Sequence, residues 1–250
     1  MSDIFDNMVF LIPVYNEAES IPALFAEIRA SFPDTPVCFI NDCSRDGTIS
    51  VLRKLPCHHL NLPANLGVGG AMQAGFRFAF EQGYDYAIRI DGDGQHPPAE
   101  CHRLMERMRA GDMDMVVGSR FLGESDYRTS AWYRRAGISG LSVILSLACR
   151  RRITDPTSGF QMVNRAVLSY FSHQYPEDYP EPESLALLSR QGYRVCEVAT
   201  AFRCRERGIS SIQHSMAPYF LFKVGVALFV DRCRAVDARF DRHRLKEVCQ

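Results

Sequence analysis

Asp91-Gly92-Asp93-Gly94-Gln95 places three side chains with oxygen donors inside five residues. The two glycines let the backbone turn tightly, and the two carboxylates repel one another unless a cation sits between them. Donors made only of oxygen select a hard ion, Mg2+ or Mn2+, over zinc. Such an ion can bridge protein carboxylates to a diphosphate and offset the charge on a departing nucleotide. Residues 86–90, just before the segment, read as a buried strand, a context that an acidic surface turn does not need. A calcium loop of the EF-hand type is excluded, because the Glu at its twelfth position and the flanking helix pair are missing.

Three other constellations carry potential chemistry. Pro13-Val14-Tyr15-Asn16-Glu17 and Asn41-Asp42-Cys43-Ser44-Arg45-Asp46-Gly47 both follow apolar runs. Asp42 could accept hydrogen bonds from a nucleobase and Tyr15 could stack on it, while Asn16 and Asp46 are also good helix-capping types. Asn65-Leu66-Gly67-Val68-Gly69-Gly70-Ala71 opens a helix without the GxGxxG spacing of a dinucleotide site. It suits either a phosphate or ribose at the helix start or close helix–sheet packing. Arg203-Cys204-Arg205-Glu206-Arg207-Gly208-Ile209-Ser210-Ser211 is either a phosphate clamp, since guanidinium matches phosphate oxygens in pairs, or a solvated basic loop.

The elements that must position these residues alternate. Continuous apolar runs predict strands at 8–14, 37–40, 86–90 and 113–118, with a weaker one at 58–62. Helical periodicity falls at 20–31, with Ser20 as a candidate N-cap, and at 48–55, 67–82 and 98–110. Such alternation predicts a doubly wound, mostly parallel α/β sheet. Ligands bind such sheets at the carboxyl ends of the strands, where residues 14–17, 41–47, 63–70, 91–96 and 118–121 lie. Beyond residue 120 the alternation stops: a polar loop at 123–129, helices at 132–149, 165–171 and 181–191, a turn-rich loop at 154–160, a strand at 193–202 and a last helix at 218–239. The expectation is one catalytic unit over 1–216, with a nucleotide-binding half (1–120) and an acceptor half (121–216), followed by an amphipathic helix and basic tail over 217–250.

Bulk properties narrow the class. Lysine plus arginine equals aspartate plus glutamate at 29 each, so the charge balance gives no support for a nucleic-acid binder. The nine cysteines form no CxxC pair or zinc spacing, which predicts reduced, buried thiols in a cytoplasmic protein. No signal peptide or transmembrane helix is expected. The region after the first strand lacks the glycine-rich basic loop of nucleotidyltransferases and the fingerprint of NAD oxidoreductases.

In order, PVYNE, NDCSRDGT, NLGVGGA, DGDGQHPP, GSR, DPTSGF, YPEPE and RxxGxSS make the chain resemble family 2 glycosyltransferases of the GT-A fold. The resemblance is to the branch of dolichol-phosphate mannosyltransferases and small bacterial enzymes of cell-surface polysaccharide synthesis. It covers nearly the whole chain, and DGDGQHPP with DPTSGF downstream is its most specific part. It implies that Pro13, Tyr15, Glu17 and Asp42 hold the nucleoside, with Asn65 and Gly69 nearby in the nucleotide-sugar site. Asp91 would bind the donor and the metal, with Asp93 and Gln95 as further ligands of Mg2+ or Mn2+. Arg120, Arg134 or Arg135, and Arg205 would bind diphosphate or acceptor phosphate, assisted by Ser210. Asp155 and Glu181 or Glu183 would face the acceptor. The second loop often begins with two acids in relatives; here the first is Asn41. No counterpart is expected in residues 217–250 for the membrane helices that end some relatives.

The implied reaction moves a sugar, with inversion, from a UDP-, GDP- or dTDP-linked donor to a polyprenyl phosphate or a glycan acceptor. A phosphate acceptor needs no base, whereas a sugar hydroxyl needs a carboxylate within reach; Asp155, Glu181 and Glu183 are the candidates. Phe220, Leu221, Val224, Leu228 and Phe229, followed by six basic residues, read either as a helix on the inner face of the plasma membrane or as one packed on protein. A catalytically degenerate nucleotide-binding scaffold of the same fold is the competing reading, and intact Asp91, Asp93 and Arg205 argue against it.

Overall fold

The computed structural model describes residues 5–122 and 132–203, together with 223, 225, 226, 237, 239 and 240. Strand β1 (Met8–Val14) is almost wholly buried, as its unbroken apolar sequence requires of a strand covered on both faces. Alternate residues serve opposite faces. Val9 and Leu11 enter one core, while Met8, Phe10, Ile12 and Val14 enter the other.

Around β1 the chain builds α1 (Ile21–Ser31), β2 (Val37–Asn41), α2 (Thr48–Leu52), β3 (His58–Asn61), α3 (Gly67–Glu81) and β4 (Tyr86–Arg89). A 3-10 turn (Pro98–Glu100) leads into α4 (Cys101–Arg109), followed by β5 (Met115–Ser119), α5 (Trp132–Cys149), β6 (Gln161–Asn164), α6 (Arg165–His173), α7 (Pro180–Arg190) and β7 (Val195–Ala199). The seven-stranded sheet has the order β3-β2-β1-β4-β6-β5-β7. Strands β1 to β4 pair in parallel, and so do β5 and β7.

Strand β6 departs from the sequence expectation. It lies antiparallel between β4 and β5, where the sequence suggested only the end of a loop. Its four residues begin with Gln and end with Asn, so no apolar run marks them. The sheet is completed by a segment whose strand character comes from its neighbours. Two smaller differences have local causes. Ser20 does not cap α1 with its side chain; its hydroxyl donates within range of Glu17 Oε2 at 2.8 Å and the Gly92 carbonyl at 2.9 Å. The last strand is five residues, half of the expected span. The expected helix at 218–239 falls almost entirely outside the described residues.

Helix α3 crosses between β3 and β4 and packs most extensively on α6. Its first turn touches the segment ahead of α7: a Cβ on Gly69 would stand 2.3 Å from the Pro176 carbonyl oxygen and 2.4 Å from that of Glu177. Close packing therefore requires glycine at position 69. Gly69→Ala should lose about 1–3 kcal/mol of stability through forced backbone displacement, read as a fall in urea midpoint; an unchanged midpoint would refute the close approach.

Candidate active site

The loops after β1 and β2 are stapled together by backbone–side-chain bonds. Asn16 adopts a left-handed φ of 57°. Its N–H donates to Ser44 Oγ at 2.9 Å, and its Oδ1 accepts from the Arg45 N–H at 2.8 Å. Asp46 accepts from Ala18 N and Thr48 N, so it supports the start of α2 and holds the first loop as well. Asn41 uses its side chain internally, accepting from Ser44 N and donating to Asn61. A second acid there would lose the donor.

Within this frame Tyr15 is 44% exposed, leaving a ring face open for stacking, and Pro13 and Glu17 are half-buried. Asp42 is buried, and its Oδ1 accepts from the Leu66 N–H at 2.7 Å. Asn65 donates to the Asp42 carbonyl. The pair thus ties the third loop to the second, and only part of the Asp42 carboxylate remains for a base.

The central loop packs down on β1. A Cβ on Gly92 would meet Val14 Cγ1 at 2.6 Å, and Gly94 takes a φ of +75° that favours glycine. Asp93 Oδ1 accepts from the Gln95 N–H at 3.0 Å. The Asp91 N–H donates to His96 Nδ1 at 3.0 Å, which leaves the proton of the neutral ring on Nε2, 3.8 Å from Asp91 Oδ2. The His96 ring is stacked on Phe160 and edge-on to Phe202. Burial, with lesser help from Arg89 and Arg120, pushes its pKa down to about 4 against the opposing pull of Asp91.

Beneath this loop lies a residue that sequence reading passed over. Arg89, at the end of β4, is 2% exposed. Its Nη2 contacts Asp91 Oδ1 at 3.3 Å and Glu181 Oε1 at 2.7 Å, and its Nη1 donates to Tyr175 at 3.3 Å. Burial alone would raise the Asp91 pKa, but the groups around it, Arg89 foremost with His96 and Arg120, together hold the carboxyl below its usual range. Gly159 completes the fit: a Cβ there would lie 3.0 Å from both Asp91 oxygens and 2.8 Å from Arg89. The signal in the sequence was one charged residue inside an otherwise buried strand.

A second arginine–carboxylate pair stands at the end of β5. Arg120 donates to Asp155 from its backbone N–H, from Nε at 2.7 Å and from Nη2 at 2.6 Å. Asp155 is fully buried, with both carboxylate oxygens engaged. It anchors Arg120. Glu197 on β7, also missed, accepts from Thr154 N, Thr154 Oγ1 and Asp155 N, and burial raises its pKa. Glu183 is half-buried in the first turn of α7. The side chains of Arg134 and Arg135 and the whole of Arg205 and Ser210 lie outside the described residues.

Among the described residues, no three His, Cys, Asp or Glu side chains gather into a metal cage. Mg2+ and Mn2+ need none, since such ions use one or two carboxylates and take remaining ligands from water and substrate phosphate. The ionised Asp91, 34% exposed, and Asp93 two residues on supply oxygen donors of that kind.

A family model described as Glycosyl transferase family 2 matches residues 9–171. The chain belongs to this family. It is 28% identical over 238 residues to a polyprenol monophosphomannose synthase of Mycolicibacterium smegmatis, covering 90% of this chain and 89% of the relative. To an undecaprenyl-phosphate mannosyltransferase of Micrococcus luteus it is 30% identical over 210 residues, covering 81% and 86%. Among solved structures, a glucosyl-3-phosphoglycerate synthase of Mycobacterium tuberculosis, crystallised with Mn2+, UDP and phosphoglyceric acid, superposes with a TM-score of 0.67 at 17% identity. That match covers 93% of this chain and 80% of the other. The fold is GT-A, and this member of the family is a nucleotide-sugar-dependent glycosyltransferase.

The lowered His96 pKa has a thermodynamic consequence. The unfolded chain binds a proton near pH 6.5 that the folded ring refuses until about pH 4. His96 therefore makes stability fall as pH drops through that window, by roughly 1.4 kcal/mol per pH unit. His96→Gln should remove this contribution, so its urea-derived stability should fall less steeply than that of the wild type between pH 6.5 and 4. Equal slopes would contradict the assignment.

Proposed function

We propose that this glycosyltransferase moves a hexose from a nucleoside diphosphate donor to the phosphate of a polyprenyl phosphate, with inversion and with a divalent cation. The observation that carries the reading is the engagement of two candidate bases. Asp155 is locked by Arg120 and Glu181 by Arg89. A sugar hydroxyl would require a carboxylate to take its proton; a phosphate monoester arrives already ionised. The names of the two similar mannosyl enzymes point to the same acceptor class and make mannose the first donor sugar to test.

In this reading Tyr15 stacks on the base, and Asp42, with Pro13, Glu17 and Asn65, shapes the nucleoside site. Asp91 and Asp93, with Gln95 as a further donor, hold Mg2+ or Mn2+, which supplies positive charge for the departing diphosphate. Arg120, fixed by Asp155, adds charge at the same sheet edge, and Arg134 or Arg135, Arg205 and Ser210 are proposed for phosphate binding. An acceptor oxygen forms the new bond to the anomeric carbon as the bond to the donor diphosphate breaks on the opposite face. The role of Glu183 is proposed as acceptor positioning.

The surface beside this site suits a lipid. A groove of about 480 Å3 runs along α5, lined among others by Phe121, Ile138, Val143, Leu147 and Thr154, and Thr154 adjoins the Arg120–Asp155 pair. Val143, Ile144 and Leu147 are exposed, and Arg150, Arg151 and Arg152 follow the helix, all exposed. An apolar face beside basic residues favours a peripheral position on an anionic membrane. No helix among the described residues is long and apolar enough to cross one.

The deciding experiment offers GDP-, UDP- and dTDP-linked sugars, GDP-mannose first, with Mn2+ and either a short polyprenyl phosphate, the matching polyprenol or a saccharide. Glycolipid should form only with the phosphate. Equal transfer to polyprenol or saccharide would overturn the acceptor assignment. Asp93→Ala should abolish metal-dependent transfer; wild-type transfer by this variant with metal present would remove Asp93 from the ligand set.

A further inference from the structure

Arg89 is a costly residue to bury. Taking a guanidinium out of water is unfavourable unless charges and hydrogen bonds compensate it locally, and for stability alone an apolar side chain of similar size often does as well. The β4 positions around it show what the fold itself asks for: Ala87, Ile88 and Ile90 are all at most 1% exposed. The compensation for Arg89 comes from two carboxylates on different elements. Asp91 belongs to the loop after β4, and Glu181 to the first turn of α7, 92 residues away in the chain. Both touch the same nitrogen, Nη2.

The surroundings hold this nitrogen still. Tyr175 accepts from Nη1, and the missing side chain of Gly159 leaves room for Nη2 and the Asp91 carboxylate together. Across the antiparallel pair, Arg89 stands opposite Gln161, so the two side chains share a face of the sheet. Gln161 Oε1 and Arg89 Nε are both buried without a hydrogen-bond partner. Two unmatched polar atoms on facing residues are a cost that a purely structural site would tend to avoid.

We infer that Arg89 is a positioning residue: it fixes the Asp91 carboxylate for the cation–diphosphate pair and ties that carboxylate to α7 through Glu181. The inference rests on the reading of Asp91 as a ligand, and the two can fail separately. Arg89 acts through Asp91 and needs no contact with substrate. A charge-only role would be satisfied by any arrangement that leaves the local net charge unchanged, whereas a positioning role would not.

The test follows from that difference. Full-length Arg89→Gln, Arg89→Gln/Glu181→Gln, Arg89→Lys and Asp91→Asn are compared with wild type by thermal midpoint. Mn2+ affinity is measured by titration calorimetry with whichever of GDP, UDP and dTDP the wild type binds. Arg89→Gln alone leaves two partly buried carboxylates, Asp91 and Glu181, without their shared cation and should be destabilised. The double variant removes one positive and one negative charge, so it should regain most of the midpoint. Its Mn2+ Kd should still rise at least tenfold, with Arg89→Lys intermediate. A wild-type Kd in the double variant, with a raised Kd in Asp91→Asn, would overturn the Arg89 inference and leave Asp91 as a ligand. A wild-type Kd in Asp91→Asn would overturn the ligand reading and the inference with it.

Discussion

A guanidinium buried at the end of a central strand has to be neutralised where it stands. In this chain Arg89 meets that demand with Asp91 and Glu181, and the arrangement of the site depends on the solution. The Asp91 loop is held down from below, the first turn of α7 is tied to the end of β4 through Glu181, and Gly159 must lack a side chain because the charged groups occupy its space. The antiparallel β6, lying beside β4, carries the facing Gln161. The cluster thereby links α7, late in the chain, to the end of β4.

Arg120 and Asp155 repeat the device at the end of β5. Here the carboxylate is the fully buried member, and Glu197 and Thr154 fix the backbone that presents it. Both clusters place a fixed guanidinium, with its carboxylate partners, at the carboxyl edge of the sheet, where the loops of an α/β fold receive ligands. Preorganised charge of this kind loses little in reorganisation when a leaving group develops negative charge. The same pairing engages Asp155 and Glu181 with guanidinium groups, which is what supports the proposed phosphate acceptor over a hydroxyl that would need a base.

Loop stapling is the quieter half of the design. Asn16, Asp46 and Asp42 spend hydrogen bonds on neighbouring loops, and Asn41 bonds both within its own turn and across to Asn61 on β3. Residue types that read equally well as helix caps or as ligands thus order the loops at this edge of the sheet while leaving Tyr15 exposed. Gly69 belongs with them in a different sense, since its small size lets α3 approach the chain ahead of α7.

Much of this was legible in the residues themselves. Strands β1, β2, β4 and β5 are buried on both faces and so appear as short runs dominated by apolar residues. Their following loops are local in sequence, which makes the Asp91–Gln95 segment and its position on the sheet readable without coordinates. PVYNE, NDCSRDGT, DGDGQHPP and GSR lie at the ends of those strands. Tertiary structure decided the rest. Strand β6 has no periodic signature, because its pairing is imposed by β4 and β5. With 29 basic and 29 acidic residues, nothing local says that Arg89 selects Glu181 or that Arg120 selects Asp155. Those choices follow from where separate elements meet in the packed fold, and burial then turns each meeting into a strong interaction.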